Sequence, residues 1–159
     1  MKPASFAGVI LLLMSCSALS DTLPVPTNAL YPEECGGCHV AYPPKLLTGD
    51  NWQQIMNGLD RHFGSDASID AQSKQEITAF LLRHASSDPR HRATSLRIHD
   101  TPWFIKKHHR LKPRAYTNAS VKSPANCTAC HAQAEQGVWH SPPHSRMRTF
   151  MDYFTNDDD

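Results

Sequence analysis

Apolar positions along this chain recur at intervals of three and four, and no stretch alternates as a half-buried strand would. Trp52, Ile55, Met56 and Leu59 predict a helix over 51–62. Ile77, Phe80, Leu81, His84 and Ala85 form the stripe of a further helix that ends near Ala85, with Ser73 and Glu76 as a capping-box match inside it or at its start. Thr101-Pro102 places an N-cap before a proline at the first helical position, which opens a short helix through Trp103, Phe104 and His108, closed before Pro113 and followed by a loop. Two more helices are expected: one over 32–40, stopped by Pro43-Pro44, and one from near Asn126 to Gly137, a natural C′ residue. Between them lie an extended lead-in with Pro24 and Pro26, a turn over 63–68 and a linker over 86–97. Pro142-Pro143 and the tail Asp157-Asp158-Asp159 are irregular. The pattern predicts a mainly α chain with much loop.

The remaining apolar run, 6–14, is too short to span a bilayer. Lys2 precedes it, and Ala18-Leu19-Ser20 follows as a small-x-small cleavage site before Asp21, so residues 1–20 are expected to be a signal peptide that sends the chain to the periplasm. Leu13-Met14-Ser15-Cys16 loosely matches a lipoprotein box, but Met14 fits it poorly, which makes a lipid anchor at Cys16 the lesser alternative. Beyond residue 20 the charges balance, with 15 basic and 15 acidic groups, yet they are segregated. Residues 21–82 carry net −5, residues 83–114 net +7 and residues 115–159 net −2. A basic middle of this kind can steer an acidic partner or pair with its own flanks. Nothing points to nucleic acid.

Five Cys among 159 residues are too few for a disulfide scaffold, while ten His are unusual. Four of the Cys fall as Cys35-Gly36-Gly37-Cys38-His39 and Cys127-Thr128-Ala129-Cys130-His131. Each is a complete C-x-x-C-H, the attachment signature of a c-type haem. Two thiols three residues apart share one face of a helical turn and can add to the two vinyl groups along one porphyrin edge, and the next residue aims an imidazole at the iron. The expected cofactors are therefore two covalently bound haem c groups, on Cys35 and Cys38 and on Cys127 and Cys130, with His39 and His131 as proximal ligands. The competing readings are weaker. A four-Cys zinc site does not require a His after each pair, no βαβ pattern surrounds a thioredoxin-like motif, and two structural disulfides would leave the repeated signature unexplained.

Each iron then needs a sixth ligand or a reason to lack one. His62 follows His39 by 23 residues at the end of a predicted helix, and His108 precedes His131 by 23 residues on a helix that carries Trp103 and Phe104. Both lie beside aromatic residues, and they are the expected distal ligands. A crossed pairing, each serving the other haem, stays open. His84 on its stripe reads as a packed side chain and His91 and His99 as surface residues, while His109 competes with His108 and His140 and His144 stand in reserve. One haem per lobe is expected, with a boundary near 86: 21–86 and 87–159. Neither lobe has the apolar residues for a large core, so the macrocycles are expected to supply much of it.

Over nearly the whole chain beyond residue 20, the sequence resembles the small di-haem cytochromes c. The residues that carry the resemblance are Glu34-Cys35-Gly36-Gly37-Cys38-His39, Ala41-Tyr42-Pro43-Pro44, Leu46-Leu47, Trp52, His62-Phe63-Gly64, the stretch 77–82, Pro102-Trp103-Phe104 with His108, and Asn126-Cys127-Thr128-Ala129-Cys130-His131 with Ala134 and Gly137. It departs from the family's pattern at His109 beside His108 and at Val138-Trp139, where a Phe is expected. The resemblance implies a class I cytochrome c-like N-terminal lobe and an irregular C-terminal lobe with short helices. It also implies bis-His ligation at both irons and haems close together. As partners it implies a small oxygen-binding cytochrome c and a membrane cytochrome b.

Two imidazoles close an iron to substrates and, with no methionine sulfur on it, hold its potential low. The expected function is low-potential electron carriage, not enzymology. The alternative is a haem enzyme of the peroxidase kind or a ligand-binding haem protein, either of which needs one open or labile sixth position.

Overall fold

The computed structural model describes residues 27–139. The expected signal peptide with Cys16, the lead-in prolines, His140, His144 and the acidic tail lie outside the described residues. Among the described residues there are five α-helices and six 3₁₀ turns, the helices being α1 (Leu30–Cys35), α2 (Gly49–Asn57), α3 (Ala71–His84), α4 (Pro102–Lys107) and α5 (Pro113–Thr117). Among the described residues the only β pairings are isolated bridges, Thr48 with Ser86 and His62 with Ser65. No helix in this part is long and apolar enough to cross a membrane.

The two helices with clear apolar stripes form as expected and pack on each other. Trp52, Ile55 and Met56 of α2 and Ile77, Phe80 and Leu81 of α3 are buried, and with Tyr31, Leu47, Leu59 and Ala93 they make one apolar cluster. The first half of the described chain thus has a protein core of its own. Burying side chains such as Ile77 and Leu81 contributes about 1.5–3 kcal/mol each. Polar atoms inside are paired: the Trp52 Nε1–H donates to the Pro44 carbonyl at 2.6 Å, and the Tyr31 hydroxyl donates to the Tyr42 carbonyl at 2.8 Å.

Several boundaries differ from the sequence expectation. α1 stops at Cys35 instead of running to residue 40. Gly36 caps it by donating its N–H to the Pro32 carbonyl at 2.9 Å, so close that a Cβ at position 36 would collide with that oxygen. α2 ends at Gly58 and is followed by a separate 3₁₀ turn, Leu59–Arg61. The N-cap of α3 is Asp70, whose carboxylate accepts from the Gln72 and Ser73 amides; Ser73 is a buried residue one turn further in. The stretch 86–97 is no free linker, because Ala93 is buried in the core cluster. The Thr101 N-cap and Pro102 behave as expected, with the Thr101 Oγ1 accepting from the Phe104 amide at 3.1 Å. α5 replaces an expected loop. The helix expected over 126–137 is two 3₁₀ turns, Cys127–Ala129 and Ala134–Gln136, although Gly137 does end the second in the left-handed region, with φ 72°.

Candidate functional site

The four histidines expected as ligands fall into two places, and in each a motif histidine faces one from outside the motifs. His39 lies in the loop after α1. Its Nδ1 donates to the Val40 carbonyl at 2.8 Å, which leaves Nε2 with a free lone pair. His62 faces it across 6.2 Å between ring centroids, the two planes 33° apart. What holds His62 there is a tight turn: the Ser65 amide donates back to the His62 carbonyl at 3.0 Å, and Phe63 and Gly64 both take positive φ, 51° and 100°. For Phe63 that conformation costs about 1–2 kcal/mol, strain concentrated one residue from His62. Arg97 reaches over from the basic segment and covers the Phe63 ring, 4.4 Å from its centroid.

The second place is built on α4. His108 is the residue that caps its C-terminal end, and its Nδ1 donates to the Phe104 carbonyl at 3.0 Å, again leaving Nε2 free. Its ring stacks on Phe104 with centroids 3.9 Å apart. His131 faces it at 6.2 Å, with the planes at 89°. His131 is placed by the turn of the second motif, where its amide donates to the Cys127 carbonyl at 2.8 Å. Burial lowers the affinity of both His62 and His108 for a proton. The facing His39 adds to the effect at His62, and the facing His131 adds to it at His108. Neutral imidazole is the form a metal requires.

The other histidines separate cleanly from these four. His109 points out to solvent with its Nδ1 on the Lys106 carbonyl, so its neighbour His108 is the one that faces His131. His84 packs against Phe80, as a stripe histidine should. His91 and His99 are half-buried rather than on the surface: His91 stacks on Trp103, and His99 pairs with Asp100 at 3.0 Å. Tyr42, one of the residues that carry the resemblance, had no role legible in the sequence. Its ring stacks on His39 at 4.6 Å, and its hydroxyl donates to the Ala125 carbonyl at 2.6 Å, two residues before Cys127. One side chain therefore ties the first histidine to the second motif. A tyrosine three residues after a C-x-x-C-H is the signal that was available for it.

Of the four motif cysteines, Cys35, Cys127 and Cys130 are partly buried, and Cys38 is exposed. Burial, and then the neighbouring Glu34, pushes Cys35 up to about 11, and burial with Cys130 does the same to Cys127. Among the described residues no three His, Cys, Asp or Glu converge to hold a lone metal ion.

The donor set does fit haem. Ring nitrogens bonded to one iron at about 2 Å on each side place imidazole centroids about 6 Å apart, the separation both pairs show. Trp139, which replaces the expected Phe, lies 5.7 Å from His131, and its Nε1–H is buried without a partner. A carboxylate of a bound haem would satisfy such a donor.

Comparison with known proteins agrees. A sequence model of the dihaem cytochrome c family matches residues 31–139. A DHC purified from Rhodobacter sphaeroides is 40% identical over 72% of this chain and 99% of that one, with a TM-score of 0.63. A second structure of the dihaem cytochrome c from that organism gives 39%, 72%, 98% and 0.64. A dihaem cytochrome type c from Shewanella baltica OS155 is 38% identical over 73% of this chain and 89% of that one, with a TM-score of 0.63. The curated proteins give no match.

Proposed function

The chain belongs to the dihaem cytochrome c family, and on that footing we propose that it is an exported electron carrier in which His39 with His62, and His108 with His131, close the two axial pairs. Two covalently attached haem c groups are a property of the family, and the thioether positions on this chain are Cys35, Cys38, Cys127 and Cys130. The observation that carries the reading is the pair of facing imidazoles, set at the same 6.2 Å in both places by unrelated local structures.

When bound, the haems supply one-electron chemistry. The chain's part is to hold both axial positions with imidazole, so that neither offers a coordination site to substrate in either oxidation state. Imidazole on both sides, with no methionine sulfur on the iron, keeps the potentials low. Carbonyl acceptors on His39 and His108 fix their tautomers and planes. The leader-like residues 1–20 support export to the periplasm. A partner that takes or gives the electron docks on the basic side, where Lys106 and Arg110 are exposed around an equally exposed Ile105. A small oxygen-binding cytochrome c and a membrane cytochrome b are the partners proposed.

Carbon monoxide tests the coordination. The reduced protein is expected to keep its spectrum when the gas is added. His62→Ala is expected to give one high-spin haem that binds it, and His109→Ala none. Binding by the unaltered protein would mean an open sixth position, as in a haem enzyme or a sensor, and would overturn the reading.

A further inference from the structure

We infer that Tyr42 and Phe104 are positioning residues that fix the planes of two ligating imidazoles, and that the difference in plane angle they maintain makes the His108–His131 site the first to accept an electron. The inference rests on the axial pairing proposed above and asks what distinguishes the two sites.

One imidazole in each site is clamped by the same two devices. The His39 plane is held within 16° of the Tyr42 ring, and its Nδ1 is tied to the Val40 carbonyl. Tyr42 cannot swing, because its carbonyl accepts from the Tyr31 hydroxyl at 2.8 Å and its own hydroxyl donates to Ala125 at 2.6 Å. The His108 plane is held within 18° of the buried Phe104 ring, and its Nδ1 is tied to the Phe104 carbonyl. The facing rings are set by other contacts: His62 edge-on to Phe63, and His131 tilted against Trp139. The outcome differs between the sites: 33° between planes in the first and 89° in the second.

That angle matters for the electron. Each imidazole raises whichever of the two iron π-type d orbitals lies perpendicular to its plane. Planes near parallel raise the same orbital, split the pair and stabilise the ferric ion, whose one vacancy sits in the raised orbital. Perpendicular planes raise one orbital each, the pair stays near degenerate, and that ferric stabilisation is lost. The ferrous ion, with both orbitals filled, is little affected. Each site takes up one electron, ferric to ferrous, with both imidazoles retained and no bond made or broken.

Electron paramagnetic resonance of the frozen, fully oxidised holoprotein tests this, followed by stepwise reduction with dithionite in the presence of mediators. Two low-spin ferric signals of equal spin count are expected. One is rhombic with three resolved features, and the other is strongly anisotropic and visible as a single low-field feature. The anisotropic signal is expected to vanish first as the potential is lowered. Phe104→Leu is expected to alter the anisotropic signal alone, Tyr42→Leu to alter the rhombic signal most, and Tyr42→Phe, which keeps the ring but loses the bond to Ala125, to alter the rhombic signal less than Tyr42→Leu does. Two similar rhombic signals, or loss of the rhombic signal first, would overturn the inference with the axial pairing intact. A high-spin signal in the unaltered protein would overturn the pairing itself, and this inference with it. Should Phe104→Leu fail to fold, the unaltered spectrum, the order of reduction and the two Tyr42 variants still decide.

Discussion

Asn51 sits almost fully buried on α2, and its amide brackets a single residue far along the chain. Its Nδ2 donates to the Ala93 carbonyl at 2.8 Å, and its Oδ1 accepts from the Ala93 amide at 2.9 Å and from the Thr48 hydroxyl at 3.1 Å. These bonds pin the segment after α3 onto the core. Asn51→Ala leaves two buried backbone groups unpaired, which costs about 3 kcal/mol in all. Urea unfolding of the holoprotein followed by circular dichroism checks it, and a loss below about 1 kcal/mol would mean that the segment is held by other means. This role was not legible in the sequence, since a bond between positions 51 and 93 leaves no local pattern. Cys35, Cys38, His39, Cys127, Cys130 and His131, proposed as haem-binding residues, carry a local pattern for the opposite reason: attachment to one small rigid group would fix their spacing. His62 and His108 were legible only in part, through their aromatic neighbours. Which of His108 and His109 faces His131 is decided by the end of α4, where His108 is turned inward as the cap.

At the scale of elements, legibility followed length and cap chemistry. α2 and α3 have apolar stripes long enough to show a period, and α4 has Thr101-Pro102 to announce it. α5 has five residues, too few for a period to show, although Pro113 at its start was a usable signal. The second motif was misread as a helix because local side-chain bonds compete with one there: Asn126 donates to the Val121 carbonyl at 3.0 Å and accepts from the Thr128 hydroxyl at 2.9 Å. The caps make two predictions. Thr101→Ala removes the acceptor for the Phe104 amide at the head of the helix that carries His108, and it is expected to cost about 1–2 kcal/mol, with Thr101→Ser restoring most of it. Thermal unfolding of the two variants side by side measures the difference. Asp70 acts through charge as well. Its bonds to Ser73 and Gln72 hold its carboxyl below the ordinary 3.8, so its contribution is complete above that value and is lost as the pH falls through the lower folded value. Asp70→Asn keeps an uncharged cap, and it is expected to flatten the acid limb of a stability-against-pH curve while leaving neutral pH little changed.

Across the whole molecule, charge segregation was legible by counting, but what the basic segment does with its charge was not. Part of it makes contacts along the surface of the fold. Arg92 reaches Asp50 of α2 at 2.7 Å, Arg90 pairs with Asp88, and Arg97 covers Phe63 beside His62. Of these contacts only that of Arg92 with Asp50 joins the basic segment to an acidic group of the first half. Around the C-terminal end of α4, Lys106 and Arg110 stay exposed beside Ile105, close in sequence to the histidine proposed as a ligand. A docking surface for electron transfer needs this combination: charge to orient the encounter, a small apolar centre, and a short path to the redox group. Steering by exposed charge is screened over a Debye length, about 10 Å at 0.1 M salt, whereas a contact made by shape alone is not. Electron transfer from the reduced protein to an acidic cytochrome acceptor, followed by stopped flow, is therefore expected to slow as ionic strength rises. Replacing Lys106 and Arg110 together by Gln is expected to lower the low-salt rate several-fold and to converge with the unaltered protein at high salt, because the two differ only in the screened interaction. Rates that are flat with salt and unchanged in the double variant would remove docking from this face and leave the imidazole pairs and their electron carriage as they stand.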